Sequence, residues 1–174
     1  MASPPSKEWP VGRYDTVLVN TDPSKKWPHS GLEGKANIFV QVMLLTNHLA
    51  GHTVARLRLI FRICGALPAA DSFLAYVQRY DLIPQPSVSA QTPRGAKTDP
   101  VTGLYALKRA LRADKSYLGD VIPVTRLRAA VQLIPRFGTA ADSRLTMETS
   151  LEYSTDFWLN KYEDKEIFWA LHVS

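Results

Sequence analysis

Cysteine is almost absent from this chain of 174 residues, since Cys64 is the only one. A single cysteine excludes a disulfide framework and the paired-cysteine spacings of zinc sites. The sequence also lacks a run of about 18 consecutive apolar residues, which a transmembrane helix requires, and its first residues lack the apolar stretch of a secretory signal. We therefore predict an intracellular protein with no membrane contact.

Motifs of enzymes and of cofactor-binding proteins are missing as well. There is no Walker-type phosphate loop, no dinucleotide fingerprint, no His-Glu-x-x-His and no Gly-x-Ser-x-Gly. Aspartates such as Asp99 and Asp114 fall in expected turns, where aspartate is favoured for backbone reasons, and no histidine spacing provides Cys64 with a base. We predict a non-enzymatic chain without cofactor, metal or small-molecule substrate, in which Cys64 is structural.

Twelve prolines and nine glycines, by contrast, divide the chain into short segments. Such punctuation is typical of many short strands joined by turns. The clearest strand is residues 52–62, where apolar and polar side chains alternate, and further strands are expected at residues 13–20, 72–80, 104–111 and 120–135. We predict a mainly β fold, a small antiparallel β-barrel or bent sheet of about five or six strands.

The chain divides by composition into a barrel-like module, residues 1–136, and an acidic, aromatic tail, residues 137–174, that we expect to pack on the barrel. Within the module, residues 84–103 are rich in proline, glycine, serine and threonine and predict a long loop. In the tail, residues 161–171 predict a short helix capped by Asp164 that turns its apolar residues inward.

Charge is unevenly distributed around a formal net charge of +5. Residues 94–136 carry nine lysines and arginines against three aspartates, whereas residues 137–174 carry three against seven acids. We expect one outward stripe of cations on the strand at residues 52–62 to merge with later ones and to bind DNA phosphates. The candidate residues are Arg56, Arg58, Arg62, Lys108, Arg109, Arg112, Arg126 and Arg128, with Lys115 nearby. The alternative is a set of separate solvated cations that keep the sheet soluble.

Eight segments carry a resemblance to a known family. They are residues 13–19 (RYDTVLV), 52–61 (HTVARLRLIF), 76–80 (YVQRY), 99–105 (DPVTGLY), 119–128 (GDVIPVTRLR), 133–138 (LIPRFG), 150–162 (SLEYSTDFWLNKY) and 164–171 (DKEIFWAL). Together they resemble the carboxy-terminal region of Plavaka-type fungal transposases, which are relatives of the CACTA elements.

In that family the ribonuclease-H-like catalytic domain lies upstream of the matching region. The resemblance therefore implies a non-catalytic accessory part of a transposon-encoded transposase, with DNA or the catalytic domain as its partner and the nucleus as its location. None of the family's catalytic acids can be assigned to a residue of this chain.

Residues 35–50 depart from the family pattern, because deleting them restores the family's run into residues 52–56. Their codons can contain a splice donor, a branch site and an acceptor without a stop codon. We interpret the segment as a retained intron that is translated; the alternative is a genuine protein insertion.

Two other functions remain open from the sequence. The first is a small-barrel module that recognises chromatin or peptide segments, with Trp158, Trp169 and Tyr162 as its contacts. The second is a relic of a transposon with no selected function.

Overall fold

The computed structural model describes residues 2–3, 6–7, 13–21, 52–63, 73–84, 98–99, 101–140 and 142–172. The chain is mainly β, with an open, curled antiparallel sheet that forms a half-barrel, and it has few short helices. The predicted fold class is thus confirmed, although the main sheet has eight strands, more than we predicted.

The described elements follow one another as short segments, as the spacing of proline and glycine predicts. The strands are β1 (Ala2–Ser3), β2 (Arg13–Tyr14), β3 (Thr16–Asn20), β4 (His52–Phe61), β5 (Leu74–Leu82), β6 (Tyr105–Arg109), β7 (Gly119–Pro123), β8 (Leu127–Ala130), β9 (Gln132–Pro135) and β10 (Asp156–Asn160). The helices are α1 (Ser150–Tyr153) and α2 (Lys165–His172), and a 3-10 turn spans Val124–Arg126.

The main sheet has the strand order β8-β3-β4-β5-β6-β10-β9, and β7 pairs with β5 outside this path. Strands β1 and β2 form a separate two-stranded sheet. One edge of β5 pairs along most of its length with β4, while its other edge pairs first with β7 and then with β6. The sheet therefore divides at β5 into a curled part that contains β6 and an extension that contains β7.

The two ends of this strand order, β8 and β9, are consecutive in the chain and are separated only by Val131. The backbone N–H of Val131 donates to the carbonyl of Thr16 at 2.9 Å, which continues the pairing with β3 up to the bend. The first and last strands of the sheet are therefore one bent length of chain.

Two apolar cores form on opposite faces of the sheet, because alternate residues of a strand point to opposite sides. The inner core lies on the face around which the sheet curls and consists of Leu18, Val54, Tyr80, Tyr105, Leu107, Val131, Leu133, Phe157, Leu159, Ile167 and Leu171. The outer core is smaller and consists of Val17, Val19, Ala55, Leu57, Ala75, Val77 and Ile122.

Strand β4 shows where the predicted alternation holds and where it fails. Ala55 and Leu57 lie in the outer core as expected, but the register with β5 shifts between Leu57 and Leu59. Such a bulge inserts one unpaired residue, here Arg58, and exchanges the faces of the residues that follow. Leu59, which the alternation places in the core, is therefore 53% exposed.

The carboxy-terminal region is part of the sheet and does not only pack on it. Strand β10 lies between β6 and β9, so the prediction of a separate tail from residue 137 is wrong for this segment. The prediction for α2 is confirmed, because the carboxylate of Asp164 accepts hydrogen bonds from the N–H groups of Glu166 and Ile167 at 2.7 and 3.3 Å. Ile167 and Leu171 are buried, and α2 covers one end of the inner core.

Aspartates in turns have the predicted structural role. Asp99 accepts hydrogen bonds from the N–H groups of Val101 and Thr102, and Asp114 accepts them from the N–H and hydroxyl of Ser116. These hydrogen bonds stabilise the ionised carboxylates and hold the pKa of both groups below its usual value.

Several predictions fall on segments outside the described residues. These are the anomalous residues 35–50, Cys64, most of the loop at residues 84–103, and the side chain of Trp169. Within the part of the chain that the structure does describe, no helix is both long enough and apolar enough to cross a membrane.

Candidate functional site

Two of the nominated cations, Arg56 and Arg109, face the interior instead of solvent. Arg56 is only 2% exposed and shares the inner face with Val54, because Thr16 and Leu18 of β3 pair directly with Arg56 and Val54. The prediction that Arg56 belongs to an outward stripe is therefore wrong. The alternation along the strand led to the prediction that Arg56 faces solvent, but the curl of the sheet encloses the face on which Arg56 lies.

Arg56 and Arg109 hold helix α1 across the open end of the inner core. Nη1 of Arg56 donates to the carbonyl of Leu151 at 3.0 Å, and Arg109 donates to the carbonyls of Leu151, Glu152 and Ser154, the latter two at 3.1 Å. Carbonyls at the end of a helix lack partners within the helix, and arginine side chains commonly satisfy them. We call Arg56, Arg58, Arg109 and Glu152 the α1 cluster.

Glu152 is the only acidic member of the α1 cluster. Its Oε1 lies 2.8 Å from Nη2 of Arg56 and 3.4 Å from Nη1 of Arg58. The Arg58 guanidinium also lies over the ring of Tyr14, 3.7 Å from its centroid, and that of Arg109 lies 5.0 Å from the centroid of Tyr117. One carboxylate, aromatic ring faces and backbone carbonyls thus balance three guanidinium groups.

The remaining nominated cations do not form one stripe. Lys108 pairs across the sheet with Asp81 on one side and Asp156 on the other, so two carboxylates flank it on its own face. Arg112 and Lys115 are exposed together on the turn between β6 and β7, Arg62 and Arg128 are exposed on other segments, and Arg126 lines the cleft described below. Three of the predicted cations, Arg56, Arg58 and Arg109, do come together, but they contact α1.

Tyr80 lies beside the α1 cluster at the centre of the inner core. Its ring packs edge-on against Phe157, with the ring centroids 5.5 Å apart, and its hydroxyl has no hydrogen-bond partner among the described residues. Burial raises the pKa of Tyr80 above its usual value, although the positive charges of Arg109 and Arg56 act in the opposite direction.

Tyr80→Phe is expected to leave stability unchanged or to raise the free energy of unfolding by up to about 1 kcal/mol, because it removes a buried hydroxyl without a partner. The unfolded chain releases the Tyr80 proton near pH 10 and the folded chain only at higher pH, so the native protein loses stability as pH rises above that value. Urea denaturation at neutral and alkaline pH should show the advantage of Tyr80→Phe increasing with pH. A loss above 1 kcal/mol at neutral pH would mean that the hydroxyl has a bound partner.

A cleft with a volume of about 80 Å³ opens on the outer face of the sheet. Its floor consists of the outer-core residues Val19, Ala55, Val77 and Ile122, and its polar lining includes Thr53, Arg79, Asp120 and Arg126. Nε of Arg79 forms an ion pair with Oδ2 of Asp120. We call this feature the outer cleft.

The extension formed by β4, β5 and β7 ends in a group of exposed apolar side chains, which we call the apolar tip. Its members are Leu59, Ile60, Ile63, Phe73 and Val121, with exposed fractions between 46% and 61%. Leu59 and Val121 both pair with Tyr76, so the three side chains form one row across three strands. Ile60 pairs with Ala75 of the outer core and therefore lies on the opposite face from this row. An exposed apolar row such as Leu59, Tyr76 and Val121 typically marks a contact with another macromolecule.

Gly119 shapes the middle of this extension. A Cβ atom at residue 119 would lie 2.6 Å from Cε2 and 2.7 Å from Cζ of Tyr76, so the ring covers the backbone where a side chain would otherwise stand. The glycine therefore allows Tyr76 to pack flat between Leu59 and Val121.

The aromatic residues proposed as contacts of a chromatin- or peptide-recognising module do not converge on one site among the described residues. Trp158 is half-buried in β10 beneath the guanidinium of Arg136, 4.1 Å from its ring centroid. Tyr162 is 59% exposed and contacts Phe168, with 5.8 Å between the centroids. The described part of the chain also contains no group of three or more histidine, cysteine, aspartate or glutamate residues that could hold a metal ion.

Comparison with known proteins gives one family. The profile of a family described as a domain of unknown function (DUF6830) matches residues 1–48 and 45–99, which together make up more than half of the chain. The two matched segments meet inside residues 35–50, whose interpretation as a retained intron stays a prediction. Neither the curated proteins nor the solved structures contain a match.

Proposed function

We propose that this chain, which belongs to the family described as a domain of unknown function (DUF6830), is a non-catalytic accessory module that docks onto another domain of a transposase-like protein. The resemblance to the carboxy-terminal region of Plavaka-type transposases supports the kind of protein. The apolar tip supports docking as the kind of function.

The apolar tip is the observation that carries the proposal. Leu59 and Val121 are each more than half exposed on one face of a regular, paired strand extension, where polar side chains would normally face water. Burying these side chains against a partner yields roughly 25 cal/mol for each Å² of apolar surface removed from water. A rigid three-stranded platform also loses little conformational entropy on binding.

Edge strand β7 makes the tip better suited to a protein partner than to self-association. Within the described residues β7 pairs only with β5, so its other edge is open. Pro123 removes one backbone donor from that edge. This feature limits uncontrolled pairing of edges, whereas a partner can still cover the side chains of Leu59 and Val121.

DNA binding is the second candidate function, and exposed cations on the turn between β6 and β7 favour it. Arg112 and Lys115 are both exposed there, and the backbone N–H of Lys115 donates to the carbonyl of Arg112 at 3.0 Å, which fixes the turn. Arg128 is exposed on another segment, at the bulge of β8. The cations of the turn would contact phosphates without reading bases.

Titration calorimetry of the full chain with a purified ribonuclease-H-like domain of a Plavaka-type transposase tests the proposal. We expect binding that changes little with salt, and we expect Val121→Lys or Leu59→Lys to weaken it at least about tenfold, because each places a charge in the buried contact. The matched control is Val101→Lys, because Val101 is 90% exposed on a turn away from the tip and should have no effect.

The same variants distinguish the two candidate functions. DNA binding would be the function instead of docking if three results are obtained with double-stranded DNA. Binding falls steeply with salt, it is unaffected by Val121→Lys, and it is lost in the double variant Arg112→Gln with Lys115→Gln. Equal weakening by Val121→Lys and by Val101→Lys would show that the tip is not the contact, since the added charge alone would then explain the loss.

A further inference from the structure

The outer cleft combines an apolar floor with cationic groups that have no complete set of partners. The Arg126 guanidinium, at the end of the 3-10 turn, forms no hydrogen bond or ion pair with any described residue, although it is only partly exposed. A half-buried guanidinium without a partner is unusual, because all five of its N–H groups must then rely on water.

Arg79 adds a second source of N–H donors to the lining of the cleft. Its ion pair with Asp120 is formed through Nε, and its two terminal nitrogens form no hydrogen bond within the described part of the chain. Two guanidinium groups and one carboxylate give the lining a net charge of one positive unit. The ligand that complements this charge carries a single negative charge.

From this arrangement we infer that the outer cleft binds the carboxylate group of a small aliphatic moiety, such as the side chain of an acidic residue or the end of a peptide chain. A planar carboxylate can accept two parallel hydrogen bonds from the free guanidinium of Arg126. The aliphatic body then lies on the floor formed by Val19, Ala55, Val77 and Ile122. The volume of about 80 Å³ is sufficient for a group of this size.

A phosphate group fits the same cleft less well. It carries between one and two negative charges near neutral pH, and the carboxylate of Asp120 in the lining repels the second charge. Asp120 therefore acts as the residue that selects a carboxylate over a phosphate. This inference is independent of the apolar tip, which lies at the end of the extension.

Amide resonances of the isotope-labelled full chain, followed during titration with sodium propionate, inorganic phosphate and sodium chloride, test the inference. We expect saturable shifts around β7 and the 3-10 turn with propionate, a dissociation constant in the millimolar range and at least about threefold weaker binding of phosphate. Arg126→Gln should weaken propionate binding about tenfold. The matched control is Arg128→Gln, two residues further on in β8, and it should change affinity less than about twofold.

Asp120→Asn should remove the preference between propionate and phosphate, and the spectra of all variants show directly whether the fold is retained. Two peptides then separate the sources of the carboxylate: one has a glutamate side chain and an amidated end, the other has a free end and no acidic side chain. The absence of saturable shifts, a preference for phosphate in the native chain, or equal losses in Arg126→Gln and Arg128→Gln would each overturn the inference.

Discussion

Glu152→Gln is expected to lower the free energy of unfolding by about 3 kcal/mol, the lower end of the cost of breaking a buried ion pair. The substitution keeps the size of the side chain but removes the carboxylate that, among the described residues, forms ion pairs with Arg56 and Arg58. Arg56, with a side chain only 3% exposed, then retains a positive charge that water cannot reach. Urea denaturation with two independent probes measures the change.

Glu148→Gln provides the matched control for this substitution. Glu148 lies four residues earlier, is exposed, and accepts a hydrogen bond from the hydroxyl of Thr146 at 2.8 Å. We expect its effect to stay within about 0.5 kcal/mol, as for most surface substitutions. Equal effects of the two variants would mean that α1 is held by its carbonyl contacts alone and that the carboxylate of Glu152 adds nothing.

Phe157→Ala is expected to lower the free energy of unfolding by about 3 to 5 kcal/mol, the usual cost of removing a buried phenyl ring. Phe157 is fully buried in the centre of the inner core, and its ring contacts Tyr80 and lies 5.6 Å from the guanidinium of Arg109. The resulting cavity therefore loosens both the core and the support of Arg109. The urea concentration at the midpoint of unfolding should fall, while the dependence of the free energy of unfolding on urea concentration should stay the same.

Trp158, the next residue in β10, tests whether the loss of stability depends on the position along the strand or on the face of the sheet. Trp158 is larger, but it lies on the opposite face and is only half-buried beneath Arg136. Trp158→Ala should therefore cost less than Phe157→Ala, about 1 to 2 kcal/mol. A larger loss for Trp158→Ala would contradict the assignment of the inner face.

The sequence predicted the strands well because their signals are local. Alternation in residues 52–62 and the β-branched run before Asn20 depend only on neighbouring residues, and the Asp164 cap of α2 depends on hydrogen bonds within one turn. The resemblance of residues 150–162 to the transposase region gave no sign that β10 lies between β6 and β9. Strand order depends on contacts between distant segments, and a single sequence does not contain them.

The candidate site was predicted less well, for two physical reasons. Alternation shows that Arg56 and Ala55 occupy opposite faces but not which face is enclosed, and both residues turn out to be buried. The bulge at Arg58 has no recognisable residue signal, so nothing predicted that Leu59 would be exposed. Glu152 was overlooked because it lies about a hundred residues from its partners, with 95 residues separating Arg56 from Leu151.

The burial of Arg56 and the partial burial of Arg109 change how the charge of the chain should be interpreted. The formal net charge of +5 includes these two groups and Arg58, all of which contact α1 or its carboxylate. Their field at the surface is weaker than their number suggests, and so is the expected electrostatic attraction of DNA. A positive net charge therefore supports nucleic-acid binding only when the lysines and arginines that face the interior are left out of the count.

The bend at Val131 determines when the chain can fold during its synthesis. Strand β3 emerges from the ribosome before its partner β8 and before β10, the partner of β9, because both follow it by more than a hundred residues. Until β8 has emerged, the Val17, Leu18 and Val19 side chains of β3 are not covered on the side where β8 pairs in the folded chain. Pairing between distant segments is slow, so this interval is when an incomplete chain is most exposed to aggregation and to chaperones.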